Sequence, residues 1–331
     1  MGGIRIIGLG KATGERTVTN EEMSRIVDTS DQWIREKTGI RSRYFAENKS
    51  NADLAAEAAE MAIADAGIDR AEIGWLIVCT FTADRLSPSV ACSVAGKLGL
   101  KEEILATDLN GACTGFLQGC KMAEGLLAGD WTAETASPSG RKSYALVIGS
   151  ERISPVMDMN DRGTCVLFGD GAGATVLEWN PVGISAYCGG CQPNNEVLGC
   201  DRNGHIKMSG QEVYRFAVGT VPHCLNQVVA RSGLGEEQID WFVCHQANER
   251  IIDNAARRLK DQEHKFYKNL YWYGNTSAAS VPIALTDMKC DGLLKAGQNV
   301  VCAGFGAGLT YAGMLLEIGS AVEHGNGGGQ K

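Results

Sequence analysis

A chain of 331 residues with 44 % hydrophobic content and 42 glycines can bury a large core, which suits a globular α/β protein and excludes a disordered or collagen-like one. Its formal charge of −8 argues against nucleic acid or an anionic membrane surface as the main partner, and no apolar run is long enough to span a bilayer. The start Met-Gly-Gly-Ile-Arg-Ile-Ile-Gly is too short and polar for a secretory signal, so a cytoplasmic protein is expected, in which the 12 cysteines build no disulfide framework.

Residues 4–9 read as a buried strand and residues 20–27 as a short helix, after which Asp28, Thr29, Ser30 and Asp31 supply stop and start signals. Residues 52–66, rich in Ala, Glu, Leu and Met, form a strong helical pattern closed by Gly67, and residues 73–80 read as the strand that follows. Residues 86–98 read as another helix with Pro88 at its start. The stretch Asp108-Leu-Asn-Gly-Ala-Cys-Thr-Gly-Phe organises the rest of the chain. An extended run over 104–109 leads into it. Residues 115–127 leave it with Phe116, Met122, Ala123, Leu126 and Leu127 at helical spacing, so Cys113 falls at a strand-to-helix turn. Unpaired N–H groups and the helix dipole there favour a thiolate and can hold a developing oxyanion, which makes Cys113 the candidate nucleophile. A free cysteine among Gly, Ala and Thr is more often inert filler, so this stretch does not decide alone.

Residues 130–142 read as an inserted surface loop, and residues 144–149 and 172–178 as strands on either side of Phe168-Gly-Asp-Gly-Ala-Gly. The second half then repeats the plan of the first. Gly67-Ile68, Ile73 and Trp75-Leu-Ile-Val-Cys recur at the same spacing as Gly233-Leu234, Ile239 and Trp241-Phe-Val-Cys, and Gly171-Ala-Gly-Ala-Thr recurs as Gly306-Ala-Gly-Leu-Thr. Two related α/β halves are expected, residues 1–180 and residues 181–318, divided at Asn180-Pro181, with a frayed Gly-rich tail over 319–331. His245 opens His-Gln-Ala-Asn directly after the apolar run 241–244, at the strand end where open α/β sheets gather ligands. Asn275 precedes Thr-Ser-Ala-Ala-Ser at a helix start and, taken alone, reads as a capping residue. His205, His223, His264 and His324 have no comparable position.

Together, Asp28-Thr-Ser-Asp-Gln-Trp-Ile, Thr38-Gly-Ile-Arg, Ala112-Cys-Thr-Gly-Phe, Asp161-Arg-Gly-Thr, Phe168-Gly-Asp-Gly-Ala-Gly, His245-Gln-Ala-Asn and Gly274-Asn-Thr-Ser-Ala-Ala-Ser resemble the β-ketoacyl-acyl carrier protein synthase III family. These are the initiating condensing enzymes of the thiolase superfamily, and the resemblance spans residues 4–317. It implies a five-layer αβαβα thiolase-like fold of two duplicated halves, a homodimer, and no cofactor beyond the CoA thioesters that are substrates. The implied activity is a decarboxylative Claisen condensation of an acyl-CoA with malonyl-acyl carrier protein, with Cys113, His245 and Asn275 as the catalytic set. Elongating synthases and thiolases look different at those three positions; chalcone-type synthases share them but fit less well elsewhere. A Cys113 thiolate suits thioester exchange, and donors on His245 and Asn275 suit an enolate oxygen. By resemblance, the backbone N–H groups of Cys113 and Ala307 form the oxyanion hole.

The binding residues carry over by resemblance as well. Trp33 and Arg162 match the pair that sandwiches the CoA adenine, since an indole face and a guanidinium both stack on a base. Lys37 stands where the family often has Arg for a CoA phosphate. Thr29, Gly210, Gln211, Ala247 and Asn248 match CoA-tunnel positions, and Leu167, Tyr214, Ile251 and Phe305 match acyl-pocket positions. Arg215, Arg250, Arg257 and Arg258 match a basic dock for an acidic carrier protein.

Four features depart from the family. Ser87 replaces a large aromatic that closes the partner subunit's acyl pocket in acetyl-specific members, which implies a roomier pocket for longer or branched acyl groups. Ala307 replaces Gly, which would strain a backbone with φ > 0. Gln211 replaces Asn beside the pantetheine, and residues 187–206 are fewer than in the family counterpart. Two other functions stay open: a starter-unit acyltransferase or condensing enzyme of a specialised polyketide-type pathway, and a non-catalytic thiol or metal-binding protein. Cys188, Cys191, Cys200 and His205 are the spacing behind the last, though the family has no metal there and none is assigned. Gly8-Leu-Gly-Lys-Ala-Thr-Gly lacks the spacing of a dinucleotide loop.

Overall fold

The computed structural model describes residues 2–132 and 144–322. Its main sheet is built from β1 (Gly3–Thr13), β2 (Ile73–Cys79), β3 (Leu105–Leu109), β4 (Tyr144–Glu151), β5 (Gly171–Asn180), β6 (Tyr187–Asn194), β7 (Trp241–Cys244), β8 (Asn299–Gly306) and β9 (Gly308–Ile318). The strands run β3-β2-β4-β5-β1 in the first half and β7-β8-β9-β6 in the second. A parallel bridge from Phe242 to Phe266 adds the missing edge position beyond β7, so both halves share one strand order. They also share polarity. β2 is parallel to β3 and β4, while β4–β5 and β5–β1 are antiparallel; β7–β8 is parallel, while β8–β9 and β9–β6 are antiparallel. A short parallel contact at Arg5↔Glu317 and Ile6↔Ile318 joins the two.

Among the described residues, seven helices of eight or more residues supply the other layers: α1 (Asp31–Thr38), α2 (Asn51–Ala66), α3 (Val90–Leu98), α4 (Gly115–Thr132), α5 (Gly210–Ser232), α6 (Glu249–Arg258) and α7 (Ser280–Cys290). α2 and α3 cover the outer face of the first half, and α5, with α6 beside it, covers that of the second. α4 and α7 lie between the two, each touching strands from both, which completes five layers. The burial pattern shows why. α7 is apolar on nearly all sides and belongs in a centre, whereas α6 has one buried face of Ile251, Ile252, Ala255 and Ala256 and belongs on a surface. Phe116, Leu117 and Leu285 pack in the middle layer, and separate clusters centred on Leu76 and on Leu225 fill the outer interfaces.

The repeated sequence signals are repeated geometry. α2 ends at Gly67 and α5 at Gly233 in left-handed conformations with φ of 66° and 71°, and each leads through a single 3-10 turn into a strand. Where local reading and structure differ, long-range contacts explain the difference. The helix expected over 86–98 begins only at Val90. Its first turn is held by Ser89, which caps Cys92 N–H at 3.0 Å, and by the Asp108 carboxylate, which accepts the Val90 and Ala91 N–H groups at 2.8 Å each. The helix expected over 20–27 stops at Met23. The loop expected over 130–142 starts inside α4, which runs to Thr132, and the rest of it lies outside the described residues. Residues 319–322, expected to fray, are docked instead: Gly319 N–H bonds Ile6 O at 2.7 Å and Val322 N–H bonds Ala66 O at 2.8 Å. The remainder of the tail lies outside the described residues.

Asp170, from Phe168-Gly-Asp-Gly, is fully buried and ties three segments together. Its carboxylate accepts from Ala46 N–H at 2.8 Å, Ile153 N–H at 2.7 Å, Ser154 N–H at 2.8 Å and Ser154 Oγ at 2.6 Å. Asp170→Ala strands these donors and should cost about 3–5 kcal/mol, read as a lower urea midpoint.

Candidate active site

The turn after β3, the end of β7, the loop before α7 and the end of β8 meet around a cavity of about 1100 Å³. Cys113, His245, Asn275 and Ala307 all line it, so four residues drawn from both halves share one space. The approach is close because of glycine. A Cβ at Gly306 would sit 2.9 Å from Cys113 N and 3.2 Å from Cys113 Cβ, so the β8 end can lie against the nucleophile's backbone only without a side chain. At Gly304 the same position is 3.5 Å from both Cys113 O and His245 Cβ, which locates the histidine beside the cysteine.

Cys113 is the middle residue of a 3-10 turn that feeds α4, and Ala112 before it has φ of +46°. Ser277, which lines the same cavity and whose hydroxyl favours the Cys113 thiolate, has φ of +50°. Left-handed non-glycine residues store strain, and here two of them flank the cavity beside one sulfur. The expectation of a ready thiolate needs correction. Cys113 reaches the cavity but is enclosed by protein, and burial pushes its thiol up to about 12, with the Ser277 hydrogen bond opposing this. The helix terminus therefore acts against desolvation instead of deciding alone.

His245 is 2 % exposed, and burial holds its imidazole down at about 3, so the ring is neutral at ordinary pH. Its Nδ1 lies 2.6 Å from Ser280 Oγ, an oxygen that accepts the Gln246 N–H at 3.3 Å, and its ring meets Phe305 edge-on at 5.4 Å. Asn275 is fixed on three sides. Its N–H bonds Leu167 O at 2.8 Å, its carbonyl accepts Gly169 N–H at 3.1 Å, and its Oδ1 accepts Ser277 N–H at 2.9 Å. With Oδ1 taken, Nδ2 is the end of the amide left as a donor.

Lys37, Gly210, Gln211, Ala247, Leu167, Tyr214, Ile251 and Phe305 also line the cavity, as does Trp33. Arg162 does not; its guanidinium stacks directly on the Trp33 ring, 4.8 Å from the centroid, and donates to Asp28 O at 2.8 Å. A base can enter between these two planes only by displacing Arg162. Asn248 lines the cavity, yet both ends of its amide are used internally: Oδ1 caps Arg250 N–H at 2.9 Å and Nδ2 bonds Lys37 O at 3.0 Å. Thr29 lies outside the lining, and its buried Oγ1 has no protein partner. Ala307 does not carry the strain expected of it; the positive φ of that turn, 134°, falls on Gly308. Ser87 is exposed on the 81–89 loop beside Leu86, which is 78 % exposed, and does not line the cavity of its own chain.

Arg215, Arg250, Arg257 and Arg258 are exposed, and Arg250 lies over the Tyr214 ring at 5.4 Å. The acidic residues of the same helix are occupied by Lys268, which bonds Glu249 at 2.8 Å and Asp253 at 2.9 Å, so the arginines dominate that face. Among the described residues no group of three or more His, Cys, Asp or Glu is placed to hold a metal: Cys188 is buried against Cys224, while Cys191 and Cys200 are exposed.

Four residues went unread in the sequence. Ser277 and Ser280 lie inside a quoted motif but only their partners reveal their use. Phe81 lines the cavity next to Thr82, and Glu151 lies buried behind both; neither has a local signal, since their partners are distant in the chain.

Comparisons with known proteins agree with this geometry. A family model described as 3-oxoacyl-[acyl-carrier-protein] synthase III matches residues 107–188, and one described as its C-terminal part matches residues 229–318. A β-ketoacyl-[acyl-carrier-protein] synthase III of Clostridium acetobutylicum is 42 % identical, covering 96 % of this chain and 99 % of that protein. The crystal structure of a 3-oxoacyl-[acyl-carrier-protein] synthase III from Aquifex aeolicus is 35 % identical with a TM-score of 0.87, covering 95 % of this chain and 100 % of that one. A priming β-ketosynthase of the R1128 polyketide biosynthetic pathway is 32 % identical with a TM-score of 0.88, covering 97 % of both chains.

Because its folded-state pKa is lowered, His245 should stay neutral as pH falls until about 3. Nitrogen NMR should therefore show one unchanging neutral tautomer between about pH 5 and about pH 9, a range within which an exposed histidine titrates.

Proposed function

Since the chain belongs to the β-ketoacyl-acyl carrier protein synthase III family of condensing acyltransferases, we propose that it joins an acyl-CoA to malonyl-acyl carrier protein through an acyl group held on Cys113. The product is 3-ketoacyl-acyl carrier protein, with release of CoA and CO2. The observation that carries this reading is the shared cavity of Cys113, His245 and Asn275, with a neutral imidazole and an amide whose oxygen is already occupied.

In the first step Cys113 sulfur attacks the thioester carbonyl, and the oxyanion is held by the Cys113 and Ala307 N–H groups. One thioester replaces another, so this step is nearly balanced. In the second, malonyl-acyl carrier protein loses CO2 and leaves an enolate oxygen. In the tautomer this step needs, Ser280 Oγ, which accepts from Gln246 N–H, donates its hydrogen to His245 Nδ1, 2.6 Å away. The imidazole hydrogen is then on Nε2 and, with Asn275 Nδ2, donates to that oxygen. An imidazolium would protonate the carbanion and waste it; burial prevents this. The carbanion then attacks the acyl group on Cys113, the C–S bond breaks, and the Cys113 thiolate released is reprotonated from solvent. No step requires a bound cofactor.

Trp33, Arg162 and Lys37 would hold the nucleotide end of CoA; Gly210, Gln211 and Ala247 would line the pantetheine path. Asn248 acts indirectly by fixing Lys37, and Thr29 offers a buried hydroxyl beside this end. The exposed arginines 215, 250, 257 and 258 would dock the acidic carrier protein. In a homodimer, Ser87 would face the partner's acyl pocket, while Phe81 supplies an aromatic wall from within the chain. A priming role in a polyketide-type pathway is the second reading, favoured by the 32 % identical priming synthase. Its acyl acceptor would be a different carrier, tested by comparing carriers in the condensation assay. Among the described residues no helix is long and apolar enough to cross a membrane.

Intact-mass analysis after mixing with acetyl-, isobutyryl- or hexanoyl-CoA should show one retained acyl group, lost in Cys113→Ser. His245→Ala and Asn275→Ala should retain the acyl group but slow condensation about 100-fold or more, the usual cost of one oxyanion donor. Retention by Cys113→Ser would overturn the assignment. Phe81→Ala should move the best substrate to a longer acyl chain, raising hexanoyl-CoA over acetyl-CoA preference about tenfold, the worth of a few buried methylenes.

A further inference from the structure

Glu151 is the buried acid that this mechanism leaves unused. It closes β4, is fully buried, and lies behind the cysteine. Five donors converge on its carboxylate: Thr80 Oγ1 at 3.0 Å, Thr82 Oγ1 at 2.5 Å, Phe81 N–H and Thr82 N–H at 3.2 Å each, and Ser277 Oγ at 3.1 Å. Ser277 lines the cavity together with Cys113, and its hydroxyl favours the thiolate, so thiol, hydroxyl and carboxylate form one cluster. The titratable groups that feel the Glu151 charge are the Cys113 thiol and the Cys79 thiol of β2, both raised by it. Among the described residues no Lys, Arg or His pairs with Glu151; the next residue, Arg152, turns its Nε to Ala46 O at 3.2 Å.

The thiol needs such a partner. His245 is held neutral at about 3 and is far too weak a base for a thiol raised to about 12, whereas burial brings Glu151 up to about 7. From the geometry we infer that Glu151, acting through Ser277 Oγ, takes the Cys113 proton as the sulfur attacks the acyl-CoA, a step that rests on the acyl-cysteine chemistry proposed above. The Cys113 S–H bond breaks as Ser277 Oγ gains that hydrogen, and the original Ser277 hydrogen passes to Glu151 Oε1. Sulfur forms the new thioester, and CoA leaves as a thiolate. Ser277 then passes its hydrogen to that thiolate as Glu151 returns its proton to Ser277 Oγ, restoring the carboxylate. Glu151 is thus a proton-holding residue that touches no substrate, and the hydroxyl of Ser277 is its route to sulfur.

The test is rapid-quench intact mass of acyl-enzyme formation with the three acyl-CoAs, from about pH 5.5 to about pH 9, a span that brackets a carboxyl raised to near neutrality. The wild type should accelerate as pH rises through about 7, where the carboxylate forms. Glu151→Gln and Ser277→Ala should lose that inflection and slow acylation about 10- to 100-fold, a range typical of a lost proton acceptor or of misplacement. Glu151→Asp should restore part of the rate and the inflection. Condensation from enzyme already acylated by long incubation should change less than about twofold in Glu151→Gln, because no thiol remains to deprotonate. Alkylation of Cys113 by iodoacetamide, located by peptide mass, gives the same readout without any acyl-CoA and should show the same loss of inflection. A folded Glu151→Gln with wild-type rate and pH profile in both assays would overturn the relay, as would equal losses in acylation and condensation. If the wild type took no acyl group yet Glu151→Gln still altered alkylation, the acyl-cysteine reading would fall while the proton path stood.

Discussion

One sulfur must be approached by main chain from two halves of a duplicated fold at once, and that crowding governs the rest. The β8 end touches the Cys113 backbone through Gly306, and the loop before α7 reaches the same sulfur from the other side through Ser277. Neither approach tolerates bulk or ordinary dihedrals, which is why Ala112 and Ser277 occupy left-handed conformations. The surrounding hydrogen bonds, including those of Asn275 to Leu167 and Gly169, hold the strain in place.

The same burial biases the protonation states. A fully solvated site would leave histidine partly charged and cysteine partly ionised. Here burial favours a neutral imidazole and a protonated thiol and brings a carboxyl near neutrality. Two of these effects help: a neutral donor cannot quench a carbanion, and a carboxyl near neutrality can accept and return a proton. The third is the obstacle the others must overcome.

Much of the layout was legible in the sequence because its signals are local. The Gly67 and Gly233 helix stops, the strand-to-helix turn at Cys113 and the strand end at His245 each depend on a handful of neighbouring residues. What could not be read depends on partners far apart in the chain. Asp108, quoted as part of the cysteine stretch, turned out to cap α3. Glu151 meets Ser277 across 126 residues, and nothing around either predicts the contact. The thiolate expectation meets a counterweight for the same reason: a helix terminus is visible locally, burial is not. Ala307 was judged on a glycine's usual conformation, but the unusual dihedral belongs to its neighbour Gly308.

If the nucleotide end of CoA binds here as proposed, the stacking of Arg162 on Trp33 makes the protein a competitor for that cleft. A visiting purine has to evict a guanidinium that already enjoys the indole face and a carbonyl partner on Asp28. Adenosine alone gains little from that exchange, because it trades one stacked plane for another. A molecule that also brings phosphates to Lys37 and a thioester to the inner chamber has further anchors with which to prise the pair apart. A cleft used in that way would sort whole CoA conjugates from free nucleotides before any chemistry begins.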